Sequence, residues 1–193
     1  VLEYNSPLTP DVTADLVFGQ GGVFNTNTCN KTALNASVLC LPGGVALDNS
    51  GNLYVADTNN SRVLQYVTPL TTDTVADVLL GQLAFTTNGK NFVDAAGLNT
   101  STAMAVDRSV TPNRLYVSDT QNNRVLGYSD VSLLATGASA DIVIGQLDFN
   151  SNLCNQGATA SAATLCSPQG IAVDSSGNLY VADTNNNRVL EYD

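Results

Sequence analysis

The chain of 193 residues has no histidine and no tryptophan, one methionine, and only 7 basic residues against 17 acidic ones. Without histidine, a Ser-His-Asp or Cys-His nucleophilic site is impossible within it. Three of the bases, Arg62, Arg124 and Arg188, fall inside a repeated motif, and the others are too few to make a basic face. The net charge of -10 argues further against nucleic acid and anionic membrane as partners. No apolar run is long enough to span a bilayer. No signal peptide is visible at Val1, so the chain is expected to be mature or cut from something longer.

What is present begins with four cysteines. Cys29 and Cys40 form one local pair, and Cys154 and Cys166 another, each inside a loop rich in Asn, Ser, Thr and Ala. Zinc ligands are usually spaced as C-x2-C, much closer than these. Two disulfides closing small loops are the better reading, and they imply an oxidising, extracellular or cell-surface location. Four sequons agree with that address, at Asn30, Asn35, Asn59 and Asn99. In a chain this rich in Asn and Thr, such triplets also arise by chance.

The dominant signal is internal repetition. Val-Leu-x-Tyr recurs at Val1, Val63, Val125 and Val189, at spacings of 62, 62 and 64. "ADLVFGQ" (14–20), "ADVLLGQ" (76–82) and "ADIVIGQ" (140–146) follow the first three copies. "GGVALD" (43–48), "AMAVD" (103–107) and "GIAVD" (170–174) precede the last three. The repeat units run about 1–62, 63–124 and 125–188, with 189–193 starting the next.

Each unit reads as four short strands. The first, "GVALD" or "GIAVD", is nearly all apolar, as a strand buried on both faces should be. The turns "NSGN" and "SSGN" lead into "LYVAD". A "TNN" turn leads into "RVLxY", where Val and Tyr are expected on one face. The fourth strand is "DLVFGQ" and its kin. No stretch has helical periodicity, so the fold class is all-β. A four-stranded meander repeated around an axis is a propeller blade.

"PQGIAVDSSGNLYVADTNNNRVLEYD" (168–193) resembles an NHL repeat, as does "LPGGVALDNSGNLYVADTNNSRVLQY" (41–66). The central copy departs, with three extra residues in its first hairpin. The resemblance implies four-stranded NHL-type blades of a β-propeller, commonly six-bladed. Three blade-length repeats would then be part of a larger ring or extended array. It also implies a platform for proteins, RNA or glycans, or in some members a lyase. The amidating lyases of this kind hold a metal through His, so that activity does not carry over.

The loops after each "GQ" are long. Phe24, Phe85 and Phe149 sit early in them and are expected to plug the blade faces. Cys29 aligns with Cys154 and Cys40 with Cys166, whereas the middle loop has Lys90 and Asn99 nearby. All seven tyrosines are placed in strands, which favours packing over a binding cage.

Two constellations could carry chemistry. Asp-x4-Arg occurs as Asp57/Arg62, Asp119/Arg124 and Asp183/Arg188. A catalytic pair is needed once, yet this one recurs in every unit, so its expected task is to cap a turn and tie it to a neighbour. The Asn residues beside it (59, 60, 122, 123, 186 and 187) suit left-handed turn angles. Asp48, Asp107 and Asp174 could gather calcium around an axis, but the adjacent "NSG" and "SSG" point instead to hairpin initiation. No cofactor and no metal is expected, and no acidic pair breaks the repeat as a catalytic site should.

The leading expectation is a non-enzymatic extracellular scaffold that associates with copies of itself, in a longer tandem chain or head to tail as a filament. The alternative is a propeller that grips a glycan or peptide through loops 21–42, 83–102 and 147–169. A hydrolase or lyase whose carboxylate or metal site is completed elsewhere is the third reading.

Overall fold

The computed structural model describes residues 1–5, 12–31, 33–69, 73–90 and 92–193. Its strands form four antiparallel sheets, each a simple meander. A two-stranded sheet pairs β1 (Leu2–Glu3) with β2 (Leu16–Val17). The first full blade is β3 (Pro42–Leu47), β4 (Leu53–Asp57), β5 (Arg62–Tyr66) and β6 (Val78–Leu80). The second is β7 (Ser101–Asp107), β8 (Arg114–Asp119), β9 (Arg124–Tyr128) and β10 (Ile142–Ile144). The third has three strands, β11 (Pro168–Val173), β12 (Leu179–Asp183) and β13 (Arg188–Tyr192). The blades lie side by side, with β7 packed between β3 and β11.

The core is divided among the junctions. Between the first two blades, Tyr54, Ala56 and Val63 meet Met104, Leu115, Val117, Leu126 and Tyr128. Between the second and third, Tyr116 and Val125 meet Leu179 and Val181. The β1–β2 sheet covers part of the first blade, where Phe18 meets Tyr66 edge-to-face at 5.1 Å. Each large apolar side chain so buried contributes about 1.5–3 kcal/mol.

Three expectations are corrected here. In β5, Val63 faces the second blade while Leu64 and Tyr66 face β1–β2, because residues three apart fall on opposite faces of a strand. The first strand is not buried on both faces in every unit. Val45 and Leu47 of β3 are 54% and 51% exposed, since β3 has an inner-strand neighbour on one side only among the described residues. Tyr4 lies beyond β1 and is exposed, so six of the seven tyrosines are in strands.

One glycine is conserved in form across the units because nothing else fits. In the "GQ" step, Gly19, Gly81 and Gly145 take φ of 86°, 86° and 92°. A Cβ on Gly145 would stand 2.6 Å from the Leu165 side chain.

Candidate functional site

The Asp-x4-Arg constellation is assembled at the turn between the second and third strands of each blade. Residues 58–60, 120–122 and 184–186 form one turn of 3-10 helix, and the next residue is left-handed: Ser61, Asn123 and Asn187. Asn60, Asn122 and Asn186 are therefore not the left-handed residues. Their side-chain amides instead donate to Oδ2 of Asp57, Asp119 and Asp183 at 2.7, 2.9 and 2.8 Å.

The same Oδ2 atoms accept Nε of Arg62, Arg124 and Arg188, each at 2.7 Å. The other carboxylate oxygens accept backbone N–H groups from Cys40, Asn99 and Cys166. The guanidinium then reaches two loops. Arg62 donates to the carbonyls of Asn35 and Val38 behind it and Phe85 ahead of it. Arg124 donates likewise to Asp94, Gly97 and Phe149. Arg188 donates to Ser161 and Thr164 behind it, and its Nη1 has no partner among the described residues. Arg62 and Arg124 are wholly buried with their aspartates, whereas the Arg188 side chain is 26% exposed. Burial pushes the Asp119 carboxyl up, outweighing the pull of Arg124, Asn122 and the Asn99 N–H.

This arrangement staples loops to a turn. With every acceptor of Asp57 and Asp119 engaged and no exposed surface on either pair, it offers no open group for substrate. Two further repeated residues do similar work, and the sequence reading passed over them. The Asp of "ADxxxGQ" receives the N–H that follows the third strand, as Asn5 to Asp15, Val67 to Asp77 and Ser129 to Asp141. The Gln side chain ties the long loop to the turn. Gln82 donates to the carbonyls of Ser61 and Gly89, and Gln146 to those of Asn123 and Leu153. Their recurrence at one spacing was the available signal.

The inner-strand acids occupy three separate hairpins. Oδ1 of Asp48 accepts N–H groups from Ser50 and Asn52, and Oδ1 of Asp174 those of Ser176 and Asn178. Asp107 accepts the N–H of Ser109 and lies 3.8 Å from Arg114. Among the described residues no group of three His, Cys, Asp or Glu side chains is gathered as a metal site needs. Nor is any helix long and apolar enough to cross a membrane.

Cys29 is bonded to Cys40 and Cys154 to Cys166, each with Cα atoms 4.5 Å apart. Of the sequon asparagines, Asn59 is exposed and Asn30, Asn35 and Asn99 are half-buried. Thr32, which completes the Asn30 sequon, lies outside the described residues. Of the three loop phenylalanines, Phe85 and Phe149 pack against the blades, but Phe24 is 56% exposed and does not act as a plug.

Antiparallel meanders of three or four strands, each locked by the same Asp, Asn and Arg at its second turn, are blades of the NHL-repeat, β-propeller type. A model of the Teneurin NHL domain matches residues 10–193, and the chain belongs to that family. It is 30% identical over 190 residues to Teneurin-3 of Mus musculus, covering 94% of this chain and 6% of that protein. It is 40% identical over 76 residues to Teneurin-1 of Gallus gallus, covering 36% of this chain and 3% of that protein. The chain thus spans a small fraction of these relatives.

Among solved structures, a nidogen/laminin complex matches with a TM-score of 0.42 and 15% identity, over 91% of this chain and 51% of that one. A virginiamycin B lyase from Staphylococcus aureus matches with a TM-score of 0.41 and 14% identity, over 78% and 40%. These two likenesses carry no argument about this chain's chemistry.

Proposed function

We propose that the chain is a non-enzymatic, extracellular interaction scaffold that assembles with copies of itself. The observation that carries this reading is the closure of the repeated polar constellations: Asp57 with Arg62 and Asp119 with Arg124 are wholly buried. Membership of the teneurin NHL family and the two disulfides favour the extracellular setting. The polar constellations are consumed in holding loops, which speaks against catalysis. Native mass spectrometry and electron microscopy of the 193-residue chain test the reading. Assembly into defined multimers supports it, and a monodisperse 20.1 kDa particle removes it.

A second reading has its own support. Leu83, Phe92, Leu147 and Leu153 on the long loops are 82%, 88%, 80% and 62% exposed. Exposed apolar tips on rigidly stapled loops suit capture of a peptide or glycan. An array of both ligand types, probed with the labelled chain, separates the two. Saturable binding by a chain that does not self-associate favours the second.

A further inference from the structure

We propose that Asn88–Gly89 is a self-modifying site, at which the backbone closes on the Asn88 side chain, expels ammonia and unfastens the middle loop from the first blade. The site lies between the two four-stranded blades, in the interior of the chain. Its chemistry is the same whether the chain associates with itself or captures a ligand.

Among the many asparagines of the chain, one precedes a glycine, at 88–89. Glycine obstructs attack by its own backbone nitrogen least, because it has no Cβ. Both residues are exposed. A Cβ on Gly89 would meet nothing within 4 Å, so the step has room to bend. The Gly89 N–H has no hydrogen-bond partner among the described residues, so no bond has to break before it reacts. By contrast, the amides of Asn60, Asn122 and Asn186 are bonded to the turn aspartates, and a side chain crowds the nitrogen that follows each.

The reaction needs only water. The Gly89 nitrogen gives up its proton and bonds to Cγ of Asn88, the Cγ–Nδ2 bond breaks, and Nδ2 leaves as ammonia. The cyclic imide then takes up one water at either carbonyl. Opening at one carbonyl leaves aspartate at position 88. Opening at the other leaves isoaspartate, in which the chain runs through the former side chain and is one methylene longer. Either product takes the net charge one unit below -10.

The groups that react are also the fasteners of this part of the loop. Asn88 Nδ2 donates to Oδ1 of Asn60 at 3.3 Å, and Gln82 Nε2 donates to the Gly89 carbonyl at 2.7 Å. Asn60 is wholly buried and donates to Asp57, and Gln82 also donates to the Ser61 carbonyl, so both contacts lead to the turn of the first blade. Arg62 holds the Phe85 carbonyl and Arg124 that of Asp94. Between those anchors, the Asn88 and Gly89 bonds are the ones that leave the loop among the described residues. A carboxylate has no hydrogen to donate, so either product sets two acceptors face to face at Asn60. Isoaspartate also carries the Gly89 carbonyl away from Gln82. The other two loops are held by Cys29–Cys40 and Cys154–Cys166, which this chemistry leaves intact, and the middle loop has no cysteine. The Asn-Gly step therefore sits in the loop that lacks a covalent hold, and the segment carrying the 88% exposed Phe92 has a finite chemical lifetime in its fastened form.

The test ages the purified 193-residue chain in warm, mildly alkaline buffer beside Asn88→Gln and Gly89→Ala. Gln keeps an amide donor on a longer side chain that closes the ring poorly. Gly89 is not left-handed and has room for a methyl group, so its replacement keeps the fold. Peptide mass spectrometry follows each asparagine, and ammonia release gives the stoichiometry. Asn88 is expected to convert faster than every other asparagine. Gly89→Ala is expected to slow it at least about tenfold, a barrier higher by about 1.4 kcal/mol. Trypsin then reads the fastening. Cleavage after Lys90 is expected to rise about tenfold in the aged parent and in fresh Asn88→Asp, since it follows the population of the open loop. Aged Asn88→Gln should keep the fresh rate, and cleavage after Lys31, inside a stapled loop, should not change. Conversion at Asn88 no faster than elsewhere overturns the site. Conversion that leaves the Lys90 cleavage rate unchanged overturns the unfastening. Neither result bears on self-association.

Discussion

Nε of Arg124 donates to Oδ2 of Asp119 across 2.7 Å, and neither side chain keeps any exposed surface. Asp183 and Arg188 repeat that distance in the third blade, but there the arginine is 26% exposed and has one loop carbonyl fewer. The same bond thus recurs in two blades, and the two arginines differ in how far the described residues cover the guanidinium.

Removing one side of the wholly buried pair leaves a buried charge uncompensated. Asp119→Ala or Arg124→Ala is expected to lower stability by about 3–5 kcal/mol. Arg188→Ala is expected to cost less, because water already reaches that guanidinium. The double replacement Asp119→Leu, Arg124→Met should not recover the loss. Arg124 also holds the carbonyls of Asp94, Gly97 and Phe149, and Asp119 holds the Asn99 N–H. Denaturant unfolding of the four variants checks the order. Equal losses for Arg124→Ala and Arg188→Ala would contradict it.

The disulfides should add stability without being required for folding. Cys40 and Cys166 give their N–H groups to the turn aspartate, and in the middle unit Asn99 does the same with no bridge nearby. The anchor therefore exists without the staple. Closing 11 or 12 residues by a bridge contributes roughly 3 kcal/mol through loop entropy. Cys154→Ser with Cys166→Ser is expected to lower the midpoint of unfolding while keeping the β-sheet circular dichroism. Peptide mapping without reductant should recover 29–40 and 154–166 as linked pairs, and cross-linked loops would be the contrary result.

Much of this organisation is legible in the sequence because a repeat presents the same constraint several times. The spacing of Val1, Val63, Val125 and Val189 reveals the blade length, and each turn signal falls where the structure turns. The recurrence of Asp and Arg together marks them as scaffold. What the repeat conceals is position within the array. Val45 and Met104, or Val63 and Val189, are equivalent in pattern, yet one of each pair is covered and the other bare. Burial there depends on which neighbour is present, and no local pattern encodes that. The partners of the arginines were hidden for another reason. They are backbone carbonyls of loops 23–30 residues away, and a carbonyl leaves no signature in the residue type.

Sugar, if the chain passes through a secretory route that attaches it, should discriminate between Asn59 and Asn30. Asn59 is exposed, and its amide makes one contact, to Cys40 Sγ at 3.2 Å. Asn30 is half-buried and exchanges two side-chain amide bonds with Asn60, at 2.9 and 2.8 Å. A glycan on Asn30 would have to break that pair. Glycopeptide mass spectrometry is expected to find occupancy at Asn59 above that at Asn30, and the reverse order would show that the Asn30–Asn60 contact does not form.

The alkaline limit of stability follows from three buried phenols. Burial raises Tyr54, Tyr66 and Tyr128 well above the ordinary tyrosine range, with the carboxylates of Asp48, Asp57 and Asp119 adding to it in turn. In the unfolded chain each phenol ionises near pH 10. A group whose folded value is raised binds its proton more tightly when folded. Its stabilising contribution is complete below about pH 10 and declines as pH climbs toward the folded values. Stability should therefore fall steeply above about pH 10, and these three phenolates should appear together with loss of structure. Paired absorbance and circular-dichroism titrations give the readout. Replacing Tyr128 with Phe removes one of the three and should make the fall shallower. Ionisation of all seven tyrosines near pH 10 in a chain that keeps its sheets would refute the burial on which the junctions depend.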